Sequence, residues 1–298
     1  MTGATAFKDN RVFHRMAECR PGSFVSFDSG EPQTIEGDGT PTWIARGANF
    51  VVAISRVGEG SILVQEAVPD ESMLLLSPSV GVTISVGESE ETIEDEALVI
   101  IPPGSARLVA HAPGHVVRIF SSAATGFGER AGNAEAYAHV DDVAPLEYWP
   151  EPPGGYRLRV YRLRDHSEDV GFGRIFRSTN LMINVFEPSV GPRDLSRLSP
   201  HEHADFEQGS LTLGGDFVHY LRTPWGPDRA QWRADEHQTC SGNTLMVIPP
   251  RMIHTTSWSS AGARLVDIFA PPRVDFSLKP GWVRNAADYP TPDRVGGS

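Results

Sequence analysis

Two stretches of the sequence follow one plan, and this duplication limits what the chain can fold into more than any other feature. In each, an apolar strand runs into a Pro-Pro turn and is followed closely by a second apolar strand ending in Ile-Phe. The first stretch is Ala97-Leu98-Val99-Ile100-Ile101-Pro102-Pro103, followed by Val116-Val117-Arg118-Ile119-Phe120. The second is Thr244-Leu245-Met246-Val247-Ile248-Pro249-Pro250, followed by Leu265-Val266-Asp267-Ile268-Phe269. A matched order repeated half a chain apart implies a unit built twice. Between the copies, residues 121–133 are small and Gly-rich, and residues 147–155 read EYWPEPPGG. Both are turn and linker compositions. The expected boundary lies near residue 140, giving domains of residues 1–140 and 141–298.

The remaining segments read as short strands with turn punctuation: 49–55, 61–65, 73–76, 80–86, 156–163, 181–186 and 217–221. Residues 133–139 form the one modest helix candidate. The chain holds 29 glycines and 24 prolines among 298 residues, which suits tight turns and leaves little room for long helices. Antiparallel sheets of this kind avoid open edges by closing on themselves. The expected fold class is therefore all-β, with two antiparallel barrels or sandwiches in tandem.

Charge narrows the partners. Lys and Arg total 26 against 38 Asp and Glu, a formal net charge of −12. An acidic surface of that size repels a phosphate backbone, so nucleic acid is not an expected partner. No apolar run approaches the roughly 20 residues that cross a bilayer. The opening residues carry neither a basic leader nor a hydrophobic stretch. No membrane partner and a cytoplasmic location are expected. Cys19 and Cys240 are far apart and lack a metal-type cysteine spacing, so both are read as free thiols. Residues Gly126–Gly132 have one residue too many for a dinucleotide-binding loop, and the chain has no Gly-x-Ser-x-Gly elbow.

Candidate chemistry concentrates in the second half. In Pro200-His201-Glu202-His203-Ala204-Asp205-Phe206-Glu207, the residues His201, His203 and Glu207 stand at odd positions. Residues of one parity share a face of a strand, so all three are expected to point inward. His254 follows the Pro249-Pro250 corner, a rigid turn that can aim a side chain. Three imidazoles and a carboxylate make a donor set for a divalent transition metal. That set would leave a 2+ ion with a net charge of about +1, still able to attract an anion or polarise a carbonyl.

These residues resemble the cupin superfamily, whose motifs are Gly-x5-His-x-His-x3–4-Glu-x6-Gly and Gly-x5-Pro-x-Gly-x2-His-x3-Asn. His201, His203, Glu207 and Gly214 match the first; Gly242, Pro249 and His254 match the second with one extra residue after the glycine. Arg251 replaces the usual turn glycine, Trp258 replaces the closing Asn, and no Gly precedes His201 at the expected distance. The resemblance implies a bicupin of two jelly-roll β-barrels, with the metal in the second and a homodimer as the assembly. No histidine lies between His14 and His111, and Arg107 aligns with His254, so the first barrel is expected to have lost its ligands and to serve as scaffold.

With Fe(II), the first choice of metal, the resemblance implies a dioxygenase-type oxidoreductase acting on a small carbonyl- or carboxyl-bearing molecule. With Mn, Ni or Zn the same cage suits an isomerase, lyase or decarboxylase of a small organic or sugar acid. A ligand-binding barrel without catalysis is the third reading. Tyr220, Arg222, Arg197 and Trp258 are the candidate substrate-binding residues. Tyr220 and Arg222 share one parity, His219 and Leu221 the other, so only one pair can face the cavity, and Tyr220 with Arg222 is the expected one. Arg193 and Arg197 lie in the loop entering His201, where a guanidinium could meet a substrate carboxylate.

Overall fold

The structure, a computed structural model, describes residues 19–166 and 173–291. In chain order the strands of the first half are β1 (Ser23–Ser26), β2 (Thr34–Ile35), β3 (Pro41–Arg46), β4 (Phe50–Val57), β5 (Ile62–Val68), β6 (Ser72–Leu76), β7 (Val82–Val86), β8 (Ser89–Ile93), β9 (Ala97–Ile101), β10 (Gly104–Ala110) and β11 (Gly114–Ser121). The second half adds β12 (Arg159–Arg162), β13 (Arg174–Arg177), β14 (Met182–Val185), β15 (Gln208–Arg222), β16 (Glu236–Ile248), β17 (Ile253–Trp258) and β18 (Arg264–Phe269). Among the described residues, helix is confined to single turns such as α1 (Thr125–Gly128) and α2 (Val274–Ser277), and the expected helix at 133–139 is a 3-10 turn, Ala134–Tyr137. The fold is all-β and antiparallel, as the turn-rich sequence implies. Among the described residues, no helix is long and apolar enough to cross a membrane.

Three sheets organise the strands: β12-β9-β6-β11-β4-β3-β2, the four strands β5-β10-β7-β8, and β1-β16-β15-β18-β14-β13 with β17 also paired to β15. Strand composition reports which faces are covered. Ala97–Ile101 and Ser72–Leu76 are buried at every position because both of their faces are packed. Leu74, Leu76, Val99 and Ile101 enter a core within the first half, whereas Met73, Leu75, Leu98 and Ile100 enter a larger one. That larger core is a seam between the halves, joining Phe50, Val52 and Ile54 to Phe176, Ile183, Leu245 and Ile268. The neighbouring strand β10 alternates buried and exposed residues, the pattern of a sheet with one wet face.

Each half also contributes a strand to the other's sheet. β1 pairs antiparallel with β16, matching Ser23 with Val247 and Ser26 with Thr244. β12 pairs with β9, matching Arg159 with Ile100 and Arg162 with Ala97.

The strands β15 and β16, of 15 and 13 residues, are long enough to serve two walls. Fully extended, the chain from Gln208 to Leu221 would span roughly 40 Å. Leu221 is paired with His254, yet Gln208 Oε1 lies 3.4 Å from His254 Nε2. The sheet must therefore fold over on itself. The bend falls at a register shift between Leu213 and Asp216, where Gly214 and Gly215 take φ of 153° and 86°. A side chain at Gly215 would strike the backbone of Ala263 at 2.8 Å, so the bend requires glycine there.

The register of the duplicated units differs from the sequence alignment by an odd number of residues. In β10 the buried residues are Ala106, Leu108 and Ala110, while Arg107 is exposed. In β17 the buried face includes His254. The position facing inward like His254 is thus Ala106, and Arg107, which the alignment of the Pro-Pro turns sets against His254, points outward. The two turns differ as well: β10 resumes at Gly104 directly after Pro103 and its pairing with β5 shifts register between Gly104 and Ala106, whereas β17 starts only at Ile253, after Arg251 and Met252.

Candidate metal centre

Backbone pairing brings the histidines together. His201 and His254 form an isolated antiparallel bridge, with His201 N–H donating to His254 O at 3.1 Å and His254 N–H donating to His201 O at 2.8 Å. Their rings lie 4.3 Å apart. The carbonyl of His203 accepts from Arg251 N–H at 2.6 Å, which ties the His203 loop to the turn after the two prolines. Arg251 holds a left-handed φ of 67° at the position where a turn glycine is usual. One ring nitrogen from each of His201, His203 and His254 lies within 4.8 Å of the others.

Hydrogen bonds set the orientation of these rings. Nδ1 of His201 lies 2.9 Å from Ser199 O, and Nδ1 of His254 lies 2.9 Å from Met252 O. A carbonyl partner holds the proton on Nδ1 and leaves Nε2 as a lone pair, the arrangement seen around metal-ligating imidazoles. Gln208 Oε1 sits 2.9 Å from His203 Nε2 and 3.4 Å from His254 Nε2. Its amide nitrogen donates to Asp267 Oδ1 at 3.1 Å, so the oxygen is the atom facing the histidines. The donor set at this point is three imidazoles and one amide oxygen, and it fits a divalent transition metal.

Burial sets the charge state. It lowers His203 to about 4 and His254 to about 3, and neighbouring imidazoles deepen both shifts. Both are neutral at pH 7, the form that binds a cation. Asp267, beneath Gln208, is pushed up to about 7 by burial, partly offset by its bonds from Ser210 and Gln208.

Glu207, expected as the fourth ligand, is not part of the cluster. Its carboxylate accepts from Ala48 N–H at 2.6 Å and from Arg20 Nη2 at 2.6 Å, and the residue is 3% exposed. Arg20 also donates to Asp142 at 2.7 Å. The reason is geometric: residues 202–207 are not extended strand, so the parity of His201 and His203 does not carry through them. β15 begins at Gln208, whose side chain faces opposite to that of Glu207. Sequence reasoning missed Gln208, although residues 204–207 separate it from His203 and the x3–4 spacing of the motif allows a ligand there.

Tyr220 and Arg222 are likewise turned the other way. Residues directly opposite in an antiparallel pair share a face. His254 is opposite Leu221, and Thr256 is opposite His219. The inner face therefore carries His219 and Leu221, both buried. Tyr220 lies on the outer face with its hydroxyl 3.2 Å from Ser257 Oγ, and Arg222, 63% exposed, forms a bidentate pair with Asp235. The missing signal was the register of β17, which only the folded chain supplies.

Trp258 shares the inner face but lies four residues along β17 from His254, packed near Phe217, with its indole N–H donating to Gly191 O at 2.8 Å. Arg197 is exposed in the loop before His201. Arg193 is a brace: it donates to Thr256 O at 2.6 Å and to Ser199 Oγ at 2.9 Å, next to the carbonyl that orients His201.

Comparison by sequence finds no matching family model and no matching curated protein. Comparison by structure does find relatives in fold. The protein Ylba from E. coli aligns at 13% identity with a TM-score of 0.53, over 89% of this chain and 98% of that one. Lactobacillus farciminis oxalate decarboxylase, solved as a formate complex, aligns at 13% identity and TM-score 0.52 over 84% and 86% of the two chains. A mutant of Bacillus subtilis oxalate decarboxylase aligns at 12% and 0.51 over 86% and 81%. At such identities the likeness is one of fold alone.

Proposed function

We propose that this chain is a metal-dependent enzyme of cupin fold acting on a small carbonyl- or carboxyl-bearing molecule, with a divalent transition metal held by His201, His203, His254 and Gln208. The observation that carries the proposal is the convergence of three imidazole nitrogens within 4.8 Å of one another, with an amide oxygen against two of them, and with two imidazoles and the amide each fixed from behind by a second hydrogen bond. Such outer partners orient ligands before a cation arrives. An imidazole or an amide binds a cation as a neutral group, so a bound 2+ ion would keep a net charge of about +2, where a carboxylate ligand would leave about +1.

When bound, the metal supplies Lewis acidity that polarises a carbonyl or carboxyl oxygen. A neutral donor set strengthens that effect and favours an anionic substrate. The reading it supports best is an isomerase, lyase or decarboxylase using Mn, Ni or Zn. The solved oxalate decarboxylases of like fold are compatible with that class. A dioxygenase using Fe(II) is the second reading, favoured by the three imidazoles, which suit that ion. The chain's own residues hold the geometry: Ser199 and Met252 carbonyls aim two rings, and Asp267 aims Gln208.

The proposal extends to the whole chain: two jelly-roll barrels meeting near residue 140, a cytoplasmic homodimer, and a first barrel serving as scaffold. Elemental analysis of protein purified without chelator tests the core of it, with about one transition metal per chain expected. Metal-free protein that takes up none of Fe(II), Mn(II), Ni(II) or Zn(II) would overturn it. Oxygen uptake on adding Fe(II) with β-diketones, aromatic diols or keto acids separates the dioxygenase from the Lewis-acid reading.

A further inference from the structure

We infer that the rung of side chains directly beneath the three histidines is a hydrogen-bonding subsite for the far end of the substrate, which is therefore a short molecule ending in an uncharged hydroxyl or carbonyl. The near end of that substrate rests on the metal-site reading above. Strand register defines the rungs. His254 and Leu221 share one rung, and Gln208 faces them across the folded sheet. Two residues further along each strand come His219 and Thr256 on one wall, and Ser210, Asp267 and Asn184 on the other. Two residues beyond these, Phe217, Trp258 and Leu265 close the interior with an apolar cluster.

The middle rung holds polar atoms that the protein does not satisfy. His219 is 0% exposed; its Nδ1 meets Thr256 Oγ1 at 2.8 Å and its Nε2 has no partner. Asn184 is 1% exposed, and neither its amide nitrogen nor its amide oxygen has a partner. Buried polar side-chain atoms are normally paired, and an unpaired one is costly. Three of them on one rung, below a cluster of metal-type donors, mark hydrogen-bonding capacity reserved for something that enters from the side of the exposed His201.

The same rung sets the chemistry of that guest. Successive same-face residues are about 7 Å apart along a strand, so a molecule anchored at the histidine rung reaches the next with a backbone of roughly four carbons. None of the five rung residues is a cation, Arg273, whose charge reaches Asp267, is already paired with Asp275, and Asp267 places a carboxyl group on the rung, so a carboxylate tail is unfavourable. An amide with both donor and acceptor free, on the same rung as an unpaired imidazole nitrogen, matches a hydroxyl or a carbonyl.

The test uses the full chain loaded with Co(II), whose visible bands report a ligand reaching the metal. Three probes share a 2-oxo acid head and differ at the tail: 2-oxobutanoate, 4-hydroxy-2-oxobutanoate and 2-oxoglutarate. The hydroxyl-bearing probe is expected to bind about tenfold more tightly than the other two, the scale of one or two well-placed hydrogen bonds. His219→Leu and Asn184→Leu should each erase that preference while keeping Co(II) content and 2-oxobutanoate affinity. In metal-free protein at pH 7 the Asn184 variant should melt at or above the parent temperature, because it removes an unpaired buried group. Equal affinity for the three probes, or an Asn184 variant that melts several degrees lower without metal, would overturn the inference, the latter because the amide would then be satisfied structurally by buried water. A chain that takes up no Co(II) overturns the metal site itself and the substrate assignment with it, while the metal-free melting comparison still separates reserved from filled polar groups.

Discussion

Residues 207 and 208 face opposite sides of the chain and carry different tasks. Glu207 ties Arg20 and the Ala48 amide into the seam between the halves, whereas Gln208 turns its oxygen to the histidines. Glu207→Ala is expected to keep the metal and to lose about 1–3 kcal/mol of stability, the cost of leaving the Ala48 N–H and part of Arg20 unpaired. Gln208→Ala should do the opposite, weakening metal affinity at least about tenfold with little change in melting. Elemental analysis and urea unfolding of the two variants check the pair, and metal loss in the Glu207 variant alone would restore the carboxylate as ligand. His219 gives a prediction in pH. Burial holds its imidazole at about 4, below the ordinary 6.5, so between those values the unfolded chain takes a proton that the folded chain refuses. Its contribution is neutral above 6.5 and increasingly destabilising as pH falls towards 4, at about 1.4 kcal/mol per pH unit. In metal-free protein, His219→Leu should therefore gain on the parent by up to about 3 kcal/mol between pH 6.5 and pH 4. Parallel stability curves would contradict it. The three metal-type histidines are legible in the sequence because their spacing to each other and to the Pro-Pro corner is local. Gln208, His219 and the outward turn of Tyr220 are not, because parity means nothing across the irregular residues 202–207 and because the inner face of β15 is set by a strand more than thirty residues away.

At the scale of elements, the duplicated strand and proline turn is the part of the fold that reads most directly. Both copies reach a left-handed residue straight after the prolines, Gly104 with φ of 114° and Arg251 with φ of 67°. They part from there. Gly104 is already the first residue of β10, whose pairing with β5 shifts register before Ala106, whereas the second copy spends both Arg251 and Met252 before β17, and the outcome is that His254 faces inward while Arg107 faces outward. An alignment of letters sees the shared turn and misses the phase, because a one-residue slip in a strand exchanges its faces. The corrected equivalence makes a sharper test of the first half as scaffold. Ala106→His places an imidazole on the inner face of β10, yet the metal content should remain at the parental value. One imidazole supplies a small part of the roughly four donors a site requires, and no metal-type cluster other than His201, His203 and His254 occurs among the described residues. A second equivalent of metal in that variant would show that other donors wait in the first half.

For the molecule as a whole, the decisive feature is that neither half completes its own sheets. β1 lies at the edge of β16, β12 lies at the edge of β9, and the largest apolar core is shared between the halves. A boundary near residue 140 matches the composition of the linker, but composition does not report which strand pairs where, and the exchange of β1 and β12 is invisible until the chain is folded. The consequence is specific. Residues 141–298 expressed alone would carry all three histidines and Gln208, yet β16 would present an unpaired edge and the seam residues Phe176, Ile183, Leu245 and Ile268 would lose their cover. Fully burying a side chain of this size contributes about 1.5–3 kcal/mol, so losing several at once exceeds the whole stability of an ordinary domain. An exposed edge beside an apolar patch is also the usual route to aggregation. The fragment is therefore expected to be insoluble or to form large particles. Co-expression with residues 1–140, which carry β1 and the other side of the seam, should recover a soluble complex with the parental metal content. Particle size, metal content and melting temperature of the fragment, the co-expressed pair and the full chain decide the matter. A soluble, metal-loaded fragment melting with the full chain would mean that the first half is no scaffold for the second, and that its retention needs another explanation, starting with a ligand of its own.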